Sequence, residues 1–159
     1  MSLKIVFMGT PKFSVPTLEG LVKNKFDILS VYTQPPKKSR RWQKINVSPI
    51  QEFSNNNKLN LRTPENLNDS DEYKFFKELS ANLVVVVAYG KLIPKHFLSV
   101  PKFGFINIHA SLLPKWRGAA PIQRAIMNRD RKIGVSIMKI EEKLDSGPVL
   151  TVKELNLDQ

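Results

Sequence analysis

The chain contains no cysteine, and that one absence excludes a disulfide framework, a thiolate zinc cluster and a thiol nucleophile. It has no apolar run near the roughly 20 residues needed to span a membrane. The first apolar stretch breaks at Gly9-Thr10-Pro11, short of the apolar segment of a secretory leader. The expected location is therefore cytoplasmic, with no membrane partner. Internal repeats and low-complexity segments are absent too. Acid is scarce beside base, 14 residues against 25, for a net charge of +11.

What is present is a chain of ordinary globular composition, 42% hydrophobic and 25% charged in 159 residues. One domain with one core is expected, burying about two-thirds of the unfolded surface. The charge is clustered. Residues 37–44 carry five basic residues and no acid, and residues 115–132 carry six against Asp130 alone. Such clustering fits a polyanionic partner such as nucleic acid, and also fits a solvated basic face.

Short β-rich runs alternate with helical stretches, the rhythm of βα units around a mainly parallel sheet. Leu3–Met8 reads as a first strand. A helix follows over 14–23, with Ser14 as its cap, Pro16 in its first turn and Leu18, Leu21 and Val22 as its apolar stripe. Residues 26–32 read as a second strand. The stretch from Gln34 to Asn46, with two prolines and five basic residues, reads as an exposed loop. Ser48-Pro49 opens a short helix, and residues 59–62 and 70–79 read as a strand and a helix. Val84 to Val87 mark a buried strand. Further strands are expected over 104–109, 134–140 and 148–155, with a helix over 121–128.

Strand periodicity places Asn107 and His109 on one face and Ile106 and Ile108 on the other. In open α/β sheets ligands bind beyond the carboxyl ends of strands, where this pair falls. Two readings stand: a donor pair aimed at a ligand, or side chains satisfied by nearby backbone. Asp145, in Leu144-Asp145-Ser146-Gly147-Pro148, is a turn former that would orient the His109 imidazole if it reached it. The turn after His109 carries Leu112, Leu113 and Trp116, apolar residues able to wall a flat heterocycle or to tuck against their own helix.

Asn107-Ile108-His109, Ser111-Leu112-Leu113-Pro114, Trp116-Arg117-Gly118-Ala119-Ala120-Pro121-Ile122-Gln123 and Leu144-Asp145-Ser146-Gly147 together resemble the methionyl-tRNA formyltransferase family. Met8-Gly9-Thr10-Pro11-Lys12-Phe13, Val15-Pro16, Thr33-Gln34-Pro35, Ser48-Pro49, and Ala88-Tyr89-Gly90 with Pro94 extend the resemblance over nearly the whole chain. The resemblance implies a Rossmann-like α/β catalytic domain covering residues 1–159, monomeric, without the family's C-terminal OB-type domain. The implied reaction carries a formyl group from 10-formyltetrahydrofolate to the amine of methionyl initiator tRNA, at the start of translation and without a metal. Asn107, His109 and Asp145 match the family's catalytic residues. Ser111, Leu112, Leu113 and Pro114, with Tyr89 and Gly90, match its folate-binding positions. Lys37, Lys38, Arg40, Arg41 and Trp42 match its tRNA-binding loop, with Arg41 engaging the acceptor end.

Two departures accompany the resemblance: the basic loop lacks the family's glycines, and Lys143 stands where the family has glycine. Met8-Gly9-Thr10 is not a dinucleotide fingerprint, so NAD binding is not expected. A sugar-nucleotide N-formyltransferase shares the Asn, His and Asp arrangement. A non-enzymatic RNA-binding module would account for the basic segments alone.

Overall fold

A computed structural model of the protein describes residues 2–38 and 45–157. The chain divides into two compact units, residues 1–104 and 105–159. In the first unit β1 (Lys4–Gly9), α1 (Val15–Lys23) and β2 (Asp27–Tyr32) come first. They are followed by β3 (Lys37–Lys38), β4 (Ile45–Asn46), α2 (Pro49–Asn56), β5 (Leu61–Arg62), α3 (Ser70–Glu78), β6 (Leu83–Val87) and α4 (Lys95–Leu98). Four of these strands pair in parallel in the order β5-β2-β1-β6. A parallel strand covered on both faces must be apolar on both, and Ile5, Val6, Phe7, Met8 and all four valines from Val84 to Val87 are buried.

Helices supply the cover. Leu18, Ile50, Phe76 and Phe97, one from each helix, are fully buried, each worth about 1.5–3 kcal/mol. The Phe76 and Phe97 rings lie 4.7 Å apart. Ser48 caps α2 by accepting from the Gln51 N–H at 3.0 Å, and Asp69 caps α3 by accepting from Asp71 and Glu72.

The structure corrects two sequence expectations in this unit and adds one element. Ser14 does not cap α1: its backbone is already helical, whereas a cap needs extended geometry. Its hydroxyl instead donates to the Val87 carbonyl at 2.6 Å. The stretch expected as a loop over 34–46 forms a two-rung antiparallel ladder at its ends, Lys37 opposite Asn46 and Lys38 opposite Ile45, too short to leave a periodic signal. Arg40, Arg41 and Trp42 lie outside the described residues. Helix α4 is one turn long, also below what periodicity reveals.

The second unit holds β7 (Phe105–His109), α5 (Pro121–Met127), β8 (Lys132–Lys139) and β9 (Val149–Asn156). Its strands pair antiparallel in the order β7-β8-β9. The α/β class read from the sequence is borne out, with the parallel pairing concentrated in the first unit. Strand β8 alternates cleanly, burying Gly134, Ser136 and Met138.

Candidate active site

Residues opposite each other in an antiparallel pair share a face. Asn107 lies opposite Met138 and His109 opposite Ser136, so the pleat puts both polar residues on the inward face of β8. His109 is 7% exposed. Its Nε2 donates to the Trp116 carbonyl at 2.9 Å; a carbonyl only accepts, so the proton sits on Nε2. The other ring nitrogen, Nδ1, faces the Asp145 carboxylate at 3.7 Å, within ion-pair range and beyond hydrogen-bond reach. Asn107 is half-buried, and among the described residues its side chain makes no hydrogen bond. Of the two readings of this pair, local backbone satisfaction applies to one His109 nitrogen and to neither end of the Asn107 amide.

The Asp145 turn is built to close on this face. Asp145 Oδ2 accepts from the Gly118 N–H at 2.7 Å, and the Lys139 N–H donates to the Pro148 carbonyl at 2.9 Å. A Cβ at Gly147 would fall onto the Lys139 carbonyl, so only glycine permits the approach. The sequence Asp145-Ser146-Gly147 is thus more than turn chemistry: it delivers a carboxylate, only 10% exposed, to the imidazole.

The segment between the two is held from inside. The Ser136 hydroxyl donates to the Ser111 carbonyl at 2.7 Å and accepts from the Leu113 N–H at 3.1 Å. The buried Ser111 hydroxyl donates to the Lys115 carbonyl at 2.6 Å, which commits it to shaping the loop. A Cβ at Gly134 would overlap Leu112 Cδ2 and the Lys153 carbonyl, so this glycine makes room for the first leucine. Leu112 and Leu113 remain half-buried and Pro114 exposed. Trp116, Ala120 and Asp145 all have left-handed backbones, with φ of 58°, 53° and 45°. Each costs about 1 kcal/mol or more, and such strain concentrates where a site demands a particular backbone direction.

Asp130, just ahead of β8, accepts from Trp116 Nε1 at 2.7 Å and from Asn128 Nδ2 at 2.7 Å, and pairs with Lys115 Nζ at 3.4 Å. The Trp116 indole first, then Asn128 and Lys115, hold its carboxyl below the usual range. A groove of about 340 Å³ runs along Leu112, Lys115, Trp116, Asp130 and Arg131. Asn107, His109 and Asp145 do not line it.

The remaining sequence candidates belong to the first unit. Tyr89 is 1% exposed and its hydroxyl has no partner among the described residues; burial pushes its pKa up. Its carbonyl accepts from Thr10 Oγ1 at 2.8 Å and Gln34 Nε2 at 3.1 Å. Gly90 has φ of +80°, and a Cβ there would overlap the Gln34 amide. Of these two residues only Gly90 is exposed. Lys37 is exposed, and the backbone of Lys38 completes the β3 ladder. No group of three or more potential metal ligands occurs among the described residues, and no described helix is long and apolar enough to cross a membrane.

The family model described as "Formyl transferase" matches residues 3–159. The chain belongs to the formyl transferase family. It is 57% identical over 158 residues to the methionyl-tRNA formyltransferase of Pelagibacter ubique, covering 99% of this chain and 51% of that protein. It is 49% identical over 155 residues to that of Fusobacterium nucleatum, covering 98% and 50%. The chain thus spans about half the length of the curated relatives it matches. Among solved structures, phosphoribosylglycinamide formyltransferase from Bacillus halodurans superposes with a TM-score of 0.77 at 18% identity, covering 98% of this chain and 81% of the other. A formyltetrahydrofolate deformylase from Pseudomonas syringae superposes with a TM-score of 0.75 at 19% identity, covering 99% and 52%. Both share the formyltransferase fold.

Four parts of this candidate site escaped the sequence reading: the Trp116 carbonyl, the Gly118 N–H, Ser136 and Asp130. Two are backbone groups, which carry no sequence signal of their own. Ser136 was detectable in principle as the one hydroxyl on the inward face of β8. Asp130 was visible as the lone acid of a basic segment.

Proposed function

We propose that residues 1–159 act as the catalytic domain of a cytoplasmic, monomeric enzyme that formylates the amine of methionyl initiator tRNA from 10-formyltetrahydrofolate. The observation that carries this reading is the pairing of His109 with Asp145 beside an Asn107, on the same strand face, whose amide no described residue engages. The identity to methionyl-tRNA formyltransferases supports the choice of acceptor.

In this reading the methionyl nitrogen attacks the formyl carbon and forms a new C–N bond, while the carbonyl electrons move onto oxygen. Collapse of that adduct breaks the bond to folate N10, and the proton lost by the amine ends on N10. Negative charge grows on the formyl oxygen, where preorganised donors are most effective. The Asn107 amide supplies one. Protonated Nδ1 supplies the other, since Nε2 is already committed to the Trp116 carbonyl. Asp145 gives the imidazolium its counter-charge. The half-buried Leu112 and Leu113 offer an apolar wall for the folate ring. Lys37, Lys38, Arg40, Arg41 and Trp42 engage the acceptor end of the tRNA.

The test supplies the full protein with 10-formyltetrahydrofolate and either methionyl initiator tRNA or an amino-sugar nucleotide, and follows labelled formyl. Formylmethionyl-tRNA is the expected product. Transfer to the amino sugar, or RNA binding with no transfer, overturns the proposal.

A further inference from the structure

The Asp130 carboxylate lies outside the reacting centre, yet it ties down the residue whose backbone carbonyl accepts from the His109 imidazole. Asp130 Oδ2 takes the Trp116 indole N–H at 2.7 Å, and the Trp116 carbonyl takes the His109 Nε2–H at 2.9 Å. We propose that Asp130 is a positioning residue for His109, acting through Trp116 and not by contact with either substrate. The catalytic part of the inference rests on the formyl-transfer reading; the positioning part does not.

Three observations carry it. First, Trp116 has a left-handed backbone with φ of 58°, a conformation unfavourable for a large side chain and maintained only when its surroundings over-determine it. The bond from the indole to Asp130 fixes the side chain of that residue, and the neighbouring Ser111–Lys115 bond fixes the chain before it. Second, Asp130 is itself held: Asn128 Nδ2 occupies its other oxygen at 2.7 Å, with Lys115 Nζ at 3.4 Å. An acceptor pinned in this way is a fixed reference point for the indole. Third, the Asp145 side of the imidazole does not set the ring's orientation alone, because 3.7 Å is too long for a hydrogen bond. The Trp116 carbonyl is the only hydrogen-bond partner of the His109 ring among the described residues, so the ring's orientation depends on where that carbonyl points.

The direction of dependence is testable because each link can be cut separately. Trp116→Phe removes the indole donor and leaves the carbonyl in place. Asp130→Ala removes the acceptor, and Asp130→Asn keeps an oxygen for the indole while removing the charge. His109→Gln assigns the His109 imidazole nitrogens in the NMR spectrum by loss of their signals, and His96, the other histidine of residues 1–159, serves as an internal reference. In the full protein, Trp116→Phe and Asp130→Ala should each speed exchange of the His109 Nε2 proton and lower kcat about 10- to 100-fold, the scale of a displaced catalytic group. KM should stay within about twofold, since neither residue is placed against substrate. Asp130→Asn should recover most of both signals.

Wild-type exchange at His109 in both Trp116→Phe and Asp130→Ala overturns the inference, whatever happens to thermal stability. A fall in kcat with unchanged His109 signals also overturns it, because Asp130 would then act by another route. Faster exchange with full activity keeps the positioning link and removes His109 from the chemistry, which is a failure of the proposed function instead.

Discussion

Each unit contains a buried carboxylate, and the two are used differently. In the first unit Glu72, 6% exposed, is gripped by Arg62 and accepts from the Tyr32 hydroxyl at 2.7 Å. Both oxygens of that carboxylate are engaged by protein donors. In the second unit Asp145 accepts from one backbone N–H and faces an imidazole at 3.7 Å, with an Asn107 amide on the neighbouring strand that no described residue engages. A closed network of this kind locks a core, whereas an incomplete one leaves donors for a ligand.

Substitutions can break this contrast from either side. Asn107→Ala or His109→Ala should lower kcat for formyl transfer by about 10² or more, with the unfolding midpoint little changed; full turnover in either variant would remove it from the site. Glu72→Gln should do the opposite, costing about 2 kcal/mol in denaturant unfolding by weakening the Arg62 and Tyr32 bonds. Its effect on kcat, at matched folded fraction, should be small.

Smaller effects sharpen the comparison. Asp145→Asn keeps an oxygen for the Gly118 N–H and removes the counter-charge, so kcat should fall about tenfold with the loop intact, the worth of one neighbouring charge. Crystal or NMR evidence of a displaced loop in that variant would make Asp145 structural instead. At alkaline pH the first unit should weaken first. Burial, reinforced at Tyr32 by its Glu72 bond, raises the pKa of Tyr32 and Tyr89 well above the ordinary value of 10.0. A raised folded-state pKa favours the neutral form, so the stability these phenols contribute is complete below the unfolded value. It is lost progressively as pH rises past about 10, where the unfolded chain ionises and the fold does not. Unfolding midpoints at pH 9 and 11 should therefore diverge, and Tyr32→Phe should narrow the gap.

The elements that sequence made legible are those set by local pattern. The valine run at 84–87 reads as a buried strand because a parallel strand is apolar on both faces, and β7 reads correctly because Asn107 and His109 alternate with Ile106 and Ile108. The motif order around Ser111–Pro114 made the family legible as well. Ser14 was misread because its hydroxyl bonds to Val87, a partner far along the chain, and the two-residue strands β3 and β4 are too short to print a period.

Sequence by itself determined the family, the α/β class and the three residue types of the candidate centre, because these reside in local pattern and motif register. Tertiary structure alone decided how they are used. It put the Asp145 carboxylate 3.7 Å from His109, turned the Trp116 carbonyl onto the ring, committed the Ser111 hydroxyl to the loop and tied Trp116 to Asp130. All but the local Ser111–Lys115 bond depend on backbone direction in a left-handed turn or on approach between segments distant in the chain, and neither is encoded in the spacing of side chains.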